Sequence, residues 1–198
     1  ANNSSVITQE DKPVSISLTG SDPDGDLLTY ILVKGPAHGS LKGMAGKSPK
    51  LSYTPKANFS GTDRFTYKVS DNTEESAVAT ALITVKAVND RPTAKDDSAT
   101  TMEDKKASSI NVLKNDGDVE NDPLKVTSVT QGKNGRVSIN GDNTLSYTPD
   151  ENFYGDDAFT YTVSDGKGGT DVAAVRIKVE AVNDAPKFVS KPVTTATV

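Results

Sequence analysis

The chain is an internal duplication, and this repeat constrains its fold more than any other feature. The hexapeptide Ala-Val-Asn-Asp-Arg-Pro begins at Ala87, and Ala-Val-Asn-Asp-Ala-Pro begins at Ala181. A longer pattern, Tyr-Thr-Pro-x-x-Asn-Phe-x-Gly-x-Asp-x-Phe-Thr-Tyr-x-Val-Ser-Asp, fills residues 53–71 and again 147–165. Proline removes a backbone donor and favours extended backbone before it, so each hexapeptide is typical of an interdomain linker. The repeat predicts one domain at 1–90, a second at 91–184, and the start of a third repeat or a tail at 185–198.

Short stretches of alternating apolar and polar residues fill both repeats. Residues 14–18, 64–69 and 175–179 alternate with period two, as half-buried strands do, and clusters of Gly, Pro, Asn and Asp separate such stretches. Residues 110–113 are predicted as a strand on the same ground, and no segment has a convincing helical period. Seven short strands in each repeat predict an all-β fold of two β-sandwiches in series.

Composition excludes several classes of protein. The formal net charge of −5 argues against a nucleic-acid or anionic-membrane surface, and the absence of cysteine excludes a disulfide scaffold and a zinc-thiolate site. No apolar run approaches the length of a membrane span, and no signal peptide stands at Ala1. Because the chain continues past the second linker, we expect an excised piece of a longer chain. A secreted domain of this size without disulfides needs another staple, and a bound metal ion is one.

Most aromatic residues occur at matched places in the two repeats, which favours a core role over a binding role. The matched pairs are Tyr53 and Tyr147, Phe59 and Phe153, Phe65 and Phe159, and Tyr67 and Tyr161. Only Tyr30, Tyr154 and Phe188 are unmatched, and three scattered aromatic side chains make a poor platform for stacking sugars.

Acidic residues at alternate positions are the strongest chemical signal in the sequence. Asp22-x-Asp24-x-Asp26 and Asp118-x-Glu120-x-Asp122 each allow several carboxylates to face one ion, and Ca²⁺ takes six to eight oxygen ligands. Neither stretch has the Gly and Glu spacing of an EF-hand, so the remaining ligands must come from elsewhere in the fold. The alternative left open is that these are solvated turn acids, because Asp and Asn are common in turns for local hydrogen-bonding reasons.

Strands that run alternately up and down would bring acids from several turns to the ends of each sandwich. A central calcium site is therefore predicted from Glu10, Asp63, Asn89, Asp90, Asp118, Glu120 and Asp165. Two outer sites, expected to be weak or incompletely filled, are predicted from Asp22, Asp24 and Asp71, and from Glu103, Asp157, Asn183 and Asp184.

The long pattern and the Val-Asn-Asp-x-Pro linkers resemble the bacterial cadherin-like tandem repeats of large secreted adhesins. The resemblance covers essentially the whole chain and implies Greek-key sandwiches of cadherin/immunoglobulin-like type with calcium at the junction between repeats. It implies roles as ligands for Glu10, Asn89, Asp90, Asp118, Glu120 and Asp165, with Asp63 a looser match. Animal cadherin linkers carry a further Asp where Ala87 stands here, which favours one or two ions over three.

These observations predict a calcium-binding structural or adhesive repeat of a secreted or cell-surface bacterial protein. Its partners would be calcium ions, neighbouring repeats and, through weak self-association, other copies, with no nucleic acid and no membrane insertion. No enzymatic activity is predicted, because His38 is the one histidine and its counterpart is Asn134. The alternatives are a carbohydrate-binding module of a secreted polysaccharide-degrading protein, with a surface polysaccharide as partner, and homophilic adhesion proper.

Overall fold

The computed structural model describes residues 1–43 and 46–186 and shows two compact units, one ending at Asn89 and the other beginning at Asp90. Most of the expected tail at 185–198 lies outside the described residues. Over these described residues the fold is all-β, as predicted, with seven strands and two sheets in each unit. Within the described residues, no helix reaches the length and hydropathy that a membrane span requires.

Unit 1 is a sandwich of a four-stranded and a three-stranded sheet. Its strands are β1 (Ser4–Gln9), β2 (Val14–Ser17), β3 (Thr29–Lys34), β4 (Gly39–Lys42), β5 (Lys50–Pro55), β6 (Gly61–Ser70) and β7 (Ala79–Lys86). The larger sheet has the order β1-β7-β6-β3 and the smaller one β2-β5-β4, and β1 pairs with β7 in parallel. Because β1 and β2, β2 and β3, β3 and β4, and β5 and β6 lie in different sheets, most connections cross between the layers, as the Greek-key prediction requires.

Unit 2 repeats this arrangement. Its strands are β8 (Asp97–Met102), β9 (Ala107–Ile110), β10 (Lys125–Val129), β11 (Gly135–Ile139), β12 (Leu145–Pro149), β13 (Gly155–Ser164) and β14 (Thr170–Glu180). The sheet orders are β10-β13-β14-β8 and β11-β12-β9.

The expected strand at residues 110–113 is wrong in its position. Strand β9 ends at Ile110, and a 3₁₀ helix, Val112–Lys114, follows it. Ser109 has a φ of 59°, which interrupts an extended strand just before Ile110. Val112 is fully buried in the helical turn, and its carbonyl oxygen lies 3.3 Å from the Tyr161 hydroxyl. The turn therefore buries the apolar side chain that the alternating pattern had assigned to a strand.

The two units have separate hydrophobic cores, built from the inward faces of their strands. From their third residue on, β6 and β13 alternate strictly between buried residues and exposed or partly buried ones. The core role predicted for the matched aromatic residues is confirmed for Tyr53, Phe65 and Tyr67 and for Tyr147, Phe159 and Tyr161, all of which are buried. Phe59 and Phe153 are partly buried and pack against these cores.

The turn before β6 and its copy before β13 explain part of the repeated pattern. Asn58 and Asn152 have φ values of 56° and 54°, in the left-handed region that Asn tolerates best after Gly. Gly61 and Gly155 have φ values of 129° and 126°, which a side chain rarely allows. The Asn-Phe-x-Gly segment is therefore a backbone requirement of the turn.

Candidate metal centre

The acidic turn after the 3₁₀ helix of unit 2 is folded around Asp118. Its Oδ1 accepts hydrogen bonds from the N–H groups of Glu120 and Asp122, both at 3.0 Å, and its carbonyl accepts one from Asn121 at 3.2 Å. Asn121 has a φ of 61°, which closes the turn. One carboxylate oxygen from each of Asp118, Glu120 and Asp122 lies within 4.8 Å of the others. The turn therefore brings three carboxylates together. Their alternate spacing in the sequence predicted that they could face one ion.

Two oxygens in this turn lack hydrogen-bond donors although they are buried. Asp118 Oδ2 and Asp122 Oδ2 have almost no exposed surface and no hydrogen-bond partner within the described part of the chain. A buried carboxylate oxygen without a donor or cation is costly, because it has lost its water. Carboxylate oxygens are also the ligands that Ca²⁺ prefers. The turn is thus chemically suited to a hard divalent cation.

Lys167 supplies positive charge at this turn. Its ammonium lies 2.6 Å from Asp122 Oδ1, and this hydrogen bond raises the pKa of Lys167 above its ordinary value. The sequence pattern pointed to the acids but not to this lysine, which comes from the loop after β13. A metal ion at the turn would compete with the ammonium for Asp122.

Asp165 lies in the same loop after β13 and is buried. Its Oδ1 accepts hydrogen bonds from the N–H groups of Lys167, at 2.7 Å, and Gly169, at 3.0 Å. A Cβ at Gly169 would lie 2.1 Å from Asp165 Oδ2 and 2.8 Å from the Cα of Arg91, so no other residue fits there without a shift. Through Lys167, this loop and the acidic turn lie together at one end of unit 2.

The segment that begins unit 2 is bonded to the acidic turn. The N–H of Asp90 donates to Glu120 Oε2 at 3.1 Å. Thr93 and Gly117 exchange both of their backbone hydrogen bonds, at 2.7 and 3.0 Å. The predicted ligands Asp90, Glu120 and Asp118 therefore belong to one connected region of unit 2.

In unit 1, Glu10 is buried and its Oε1 accepts a short hydrogen bond from the N–H of Val88. Asn89 is the last residue of this unit and is exposed. Unit 2 has the same contact at its own end, where Glu103 is buried and accepts from the N–H of Val182. The two glutamates thus fasten each Ala-Val-Asn-Asp segment to the unit that precedes it. Asn183 and Asp184 are exposed beyond this contact.

The corresponding acidic turn of unit 1 is more open. Asp22 Oδ1 accepts from the N–H groups of Asp24 and Asp26 at 2.9 and 3.2 Å, which repeats the turn of unit 2. Asp24 and Asp26 are exposed, and Asp71 accepts from two backbone N–H groups of its own loop. Within the described residues, Asp22, Asp24 and Asp71 form no group of three close carboxylates.

Asp63 and Asp157 lie elsewhere in their units, as buried carboxylates on β6 and β13. Asp157 accepts hydrogen bonds from the Tyr147 hydroxyl at 2.7 Å and from the N–H groups of Lys133 and Asn134 at 3.0 and 2.9 Å. Asp63 has the same set of partners in Tyr53, Ala37 and His38. Asp63 therefore holds the loop between β3 and β4 against its sheet, and Asp157 holds the loop between β10 and β11 in the same way.

The repeated pattern and the fold agree with a known family. A family model described as the bacterial Ig domain matches residues 1–85 and again 89–178. The chain belongs to the bacterial Ig domain family. Both of its copies of the domain coincide with the seven-stranded sandwiches described above.

Solved structures with a similar fold include cadherins. Human protocadherin-24 EC1-2 is 17% identical over 92% of this chain and 95% of that chain, with a TM-score of 0.55. Drosophila N-cadherin EC1-4 is 14% identical over 90% of this chain and 48% of that chain, with a TM-score of 0.56. An endo-fucoidan hydrolase of glycoside hydrolase family 107 is 25% identical, with a TM-score of 0.38, and this bacterial Ig pair spans 28% of its length. Among curated proteins, none matches the chain.

Domains of these two types are typically extracellular and usually have no catalytic activity. The cadherin likeness concerns the fold alone, because the sequence identities are low.

Proposed function

We propose that this chain is a calcium-binding structural repeat pair of a secreted or cell-surface bacterial protein. The observation that carries the proposal is a turn of three carboxylates with two buried oxygens, Asp118 Oδ2 and Asp122 Oδ2, that no donor among the described residues reaches. Bound calcium would satisfy both oxygens and neutralise the mutual repulsion of the acids.

The ligand set comes mainly from unit 2. Asp118, Glu120 and Asp122 supply carboxylates from one turn. Asp90 adjoins that turn through its N–H on Glu120, and Asp165 belongs to the loop whose Lys167 contacts Asp122. Water would complete a coordination number of six to eight. No histidine or cysteine lies in this set, which favours a hard oxygen-seeking ion over zinc. Glu10, Asp63 and Asn89 stay predicted ligands on the sequence argument.

Calcium at this position would act on the linker. Glu120 both belongs to the ligand set and holds the N–H of Asp90, so an ion bound to Glu120 fixes the first residues of unit 2. Glu10 already fastens Val88 to unit 1. In this role the protein is a spacer whose repeats are stiffened by calcium outside the cell.

Calcium titration of the Asp118→Asn/Asp122→Asn double variant tests the proposal. Calorimetry should show one or two sites on the native chain, with dissociation constants of about 0.1–1 mM, as in other extracellular modules. The double variant should lose this binding, because Asn keeps the shape of each side chain but removes its charge. Asp22→Asn/Asp26→Asn is the matched control, since it makes the same change in the open turn of unit 1.

The control variant should retain the heat of binding. Equal loss in both double variants would show that calcium only screens a negative surface, and absence of binding to the native chain would remove the proposal altogether.

A carbohydrate-binding role is a second candidate, and a groove on unit 2 favours it.

A further inference from the structure

The outer face of the larger sheet of unit 2 carries a groove of about 840 Å³. Cross-strand pairing sets its floor, because Ala158, Arg176 and Ser98 form one row of neighbours across three strands. Asp156, Lys178 and Thr100 form the next row. All these residues lie on the exposed side of their strands, apart from the core. We call this surface the β14 groove.

One wall of the β14 groove is a loop held in place from below. The buried carboxylate of Asp157 accepts the N–H groups of Lys133 and Asn134 and so fixes their backbone. The same loop approaches the sheet so closely that a Cβ at Gly132 would lie 2.5 Å from Asp157 Oδ2. The wall is therefore rigid before any ligand arrives, which lowers the entropy cost of binding.

The groove has an excess of positive charge in a chain that is negative overall. Within the described residues, Lys133, Arg176 and Lys178 form no salt bridge, although Lys178 is the cross-strand neighbour of Asp156. Asp157 is not available to these cations, because hydrogen bonds from the loop and from Tyr147 occupy it. Three cations thus face one exposed carboxylate, and with the buried Asp157 counted the lining keeps a net charge of +1.

We propose that the β14 groove binds an anionic polysaccharide, through Arg176, Lys178 and Lys133. The cations pair with the carboxylate or sulfate groups of the polymer. Asp156 accepts hydrogen bonds from sugar hydroxyls, and Ser98 and Thr100 exchange hydrogen bonds with them. The lining contains no aromatic side chain, which disfavours stacking of neutral sugars or of nucleic-acid bases. A polymer that carries both anions and hydroxyl donors matches this mixed set, whereas a phosphate backbone offers no donors to Asp156.

The equivalent strand of unit 1 lacks the key charges. On β7, Leu82 stands at the position of Arg176, and Thr84 stands at the position of Lys178. Leu82 pairs with Arg64 just as Arg176 pairs with Ala158. Thr84 pairs with Thr62 just as Lys178 pairs with Asp156. The first repeat shows that leucine and threonine fit these exposed strand positions. It therefore supplies a fold-compatible way to remove the proposed site.

The test compares the native chain with the Arg176→Leu/Lys178→Thr variant by affinity electrophoresis and calorimetry. The probes are dextran sulfate, polygalacturonate, neutral dextran and single-stranded DNA, each with calcium and with a chelator. The native chain should bind at least one anionic polysaccharide in both conditions and should not bind neutral dextran. The variant should bind that polysaccharide at least tenfold more weakly. The dextran sulfate and polygalacturonate arms distinguish sulfate from carboxylate as the recognised group.

Lys105→Thr/Lys106→Thr is the matched control, because it removes two exposed cations from another part of unit 2. It should change the affinity less than threefold. Equal weakening in both double variants would reduce the binding to overall charge and overturn the proposal. So would absence of binding to both anionic polysaccharides, or binding of DNA as tight as that of the polysaccharide. Binding that needs calcium and ignores Arg176→Leu/Lys178→Thr would assign the polysaccharide to the metal centre instead.

Discussion

At the scale of single residues, Asp157 shows how a buried charge that accepts several hydrogen bonds can stabilise a fold. Burial alone raises the pKa of its carboxyl, but the hydrogen bonds from Tyr147 and three backbone N–H groups outweigh this and lower the pKa below its ordinary value. Burial and the neighbouring carboxylate also raise the pKa of Tyr147, so its hydroxyl stays protonated and keeps donating. Asp63 and Tyr53 form the same pair in unit 1.

Replacing Asp157 with Asn should destabilise unit 2 by about 2 kcal/mol, because an amide presents N–H donors to the groups that now donate to the carboxylate. A depressed folded-state pKa stabilises the fold above the unfolded value, near pH 4, and this stability is lost as the pH falls through the folded value. The stability of the native chain, measured by urea unfolding, should therefore fall below about pH 4. The stability of the variant should fall less steeply over the same range. Asp156→Asn, an exposed neighbour, should stay within about 0.5 kcal/mol of the native chain.

Lys167 should be a competitor for the calcium site. Its ammonium contacts Asp122, so a divalent ion must displace it or share the carboxylate. Lys167→Gln should bind calcium roughly three- to tenfold more tightly, because it removes one charge of the same sign from the edge of the site. Calorimetry measures this, with Lys105→Gln as a control for a distant exposed cation. Weaker binding by the Lys167 variant would mean that the lysine organises the site and does not compete for it.

At the scale of elements, the loop after β13, beside the candidate metal centre, depends on a glycine as well as on an acid. Gly169→Ala would force its new Cβ against Asp165 and the backbone of Arg91, so the loop after β13 must shift. We expect a loss of about 1–3 kcal/mol in stability together with weaker calcium binding. Gly141→Ala is the control, since nothing lies within 4 Å of a Cβ placed there. An unchanged calcium affinity in the Gly169 variant would separate the loop after β13 from the ligand set.

Most strands were predictable from the sequence, because their alternating residues face a core on one side and water on the other. The pattern at residues 110–113 misled for a specific reason: Ile110 and Val112 are spaced as in a strand, but Val112 is buried by a 3₁₀ turn against Tyr161. The turn carrying Asp118 and Glu120 was predictable from alternate acids. Lys167 was not, because no local pattern links it to Asp122. The β14 groove could not be predicted either, since its rows of neighbouring residues form only when three strands pair.

At the scale of the whole molecule, two separate cores allow two unfolding events, and calcium should act on only one of them. A ligand at 100 times its dissociation constant stabilises the state that binds it by about 2.7 kcal/mol. For a domain of this size, that corresponds to a rise of roughly 10–20 °C in melting temperature. Scanning calorimetry should therefore show the transition of unit 2 moving up with calcium while that of unit 1 stays in place. Asp118→Asn/Asp122→Asn should abolish the movement and Asp22→Asn/Asp26→Asn should preserve it. If both transitions rise together, a site confined to the acids of unit 2 is contradicted, and unit 1 must supply ligands as well, as the sequence predicts for Glu10, Asp63 and Asn89.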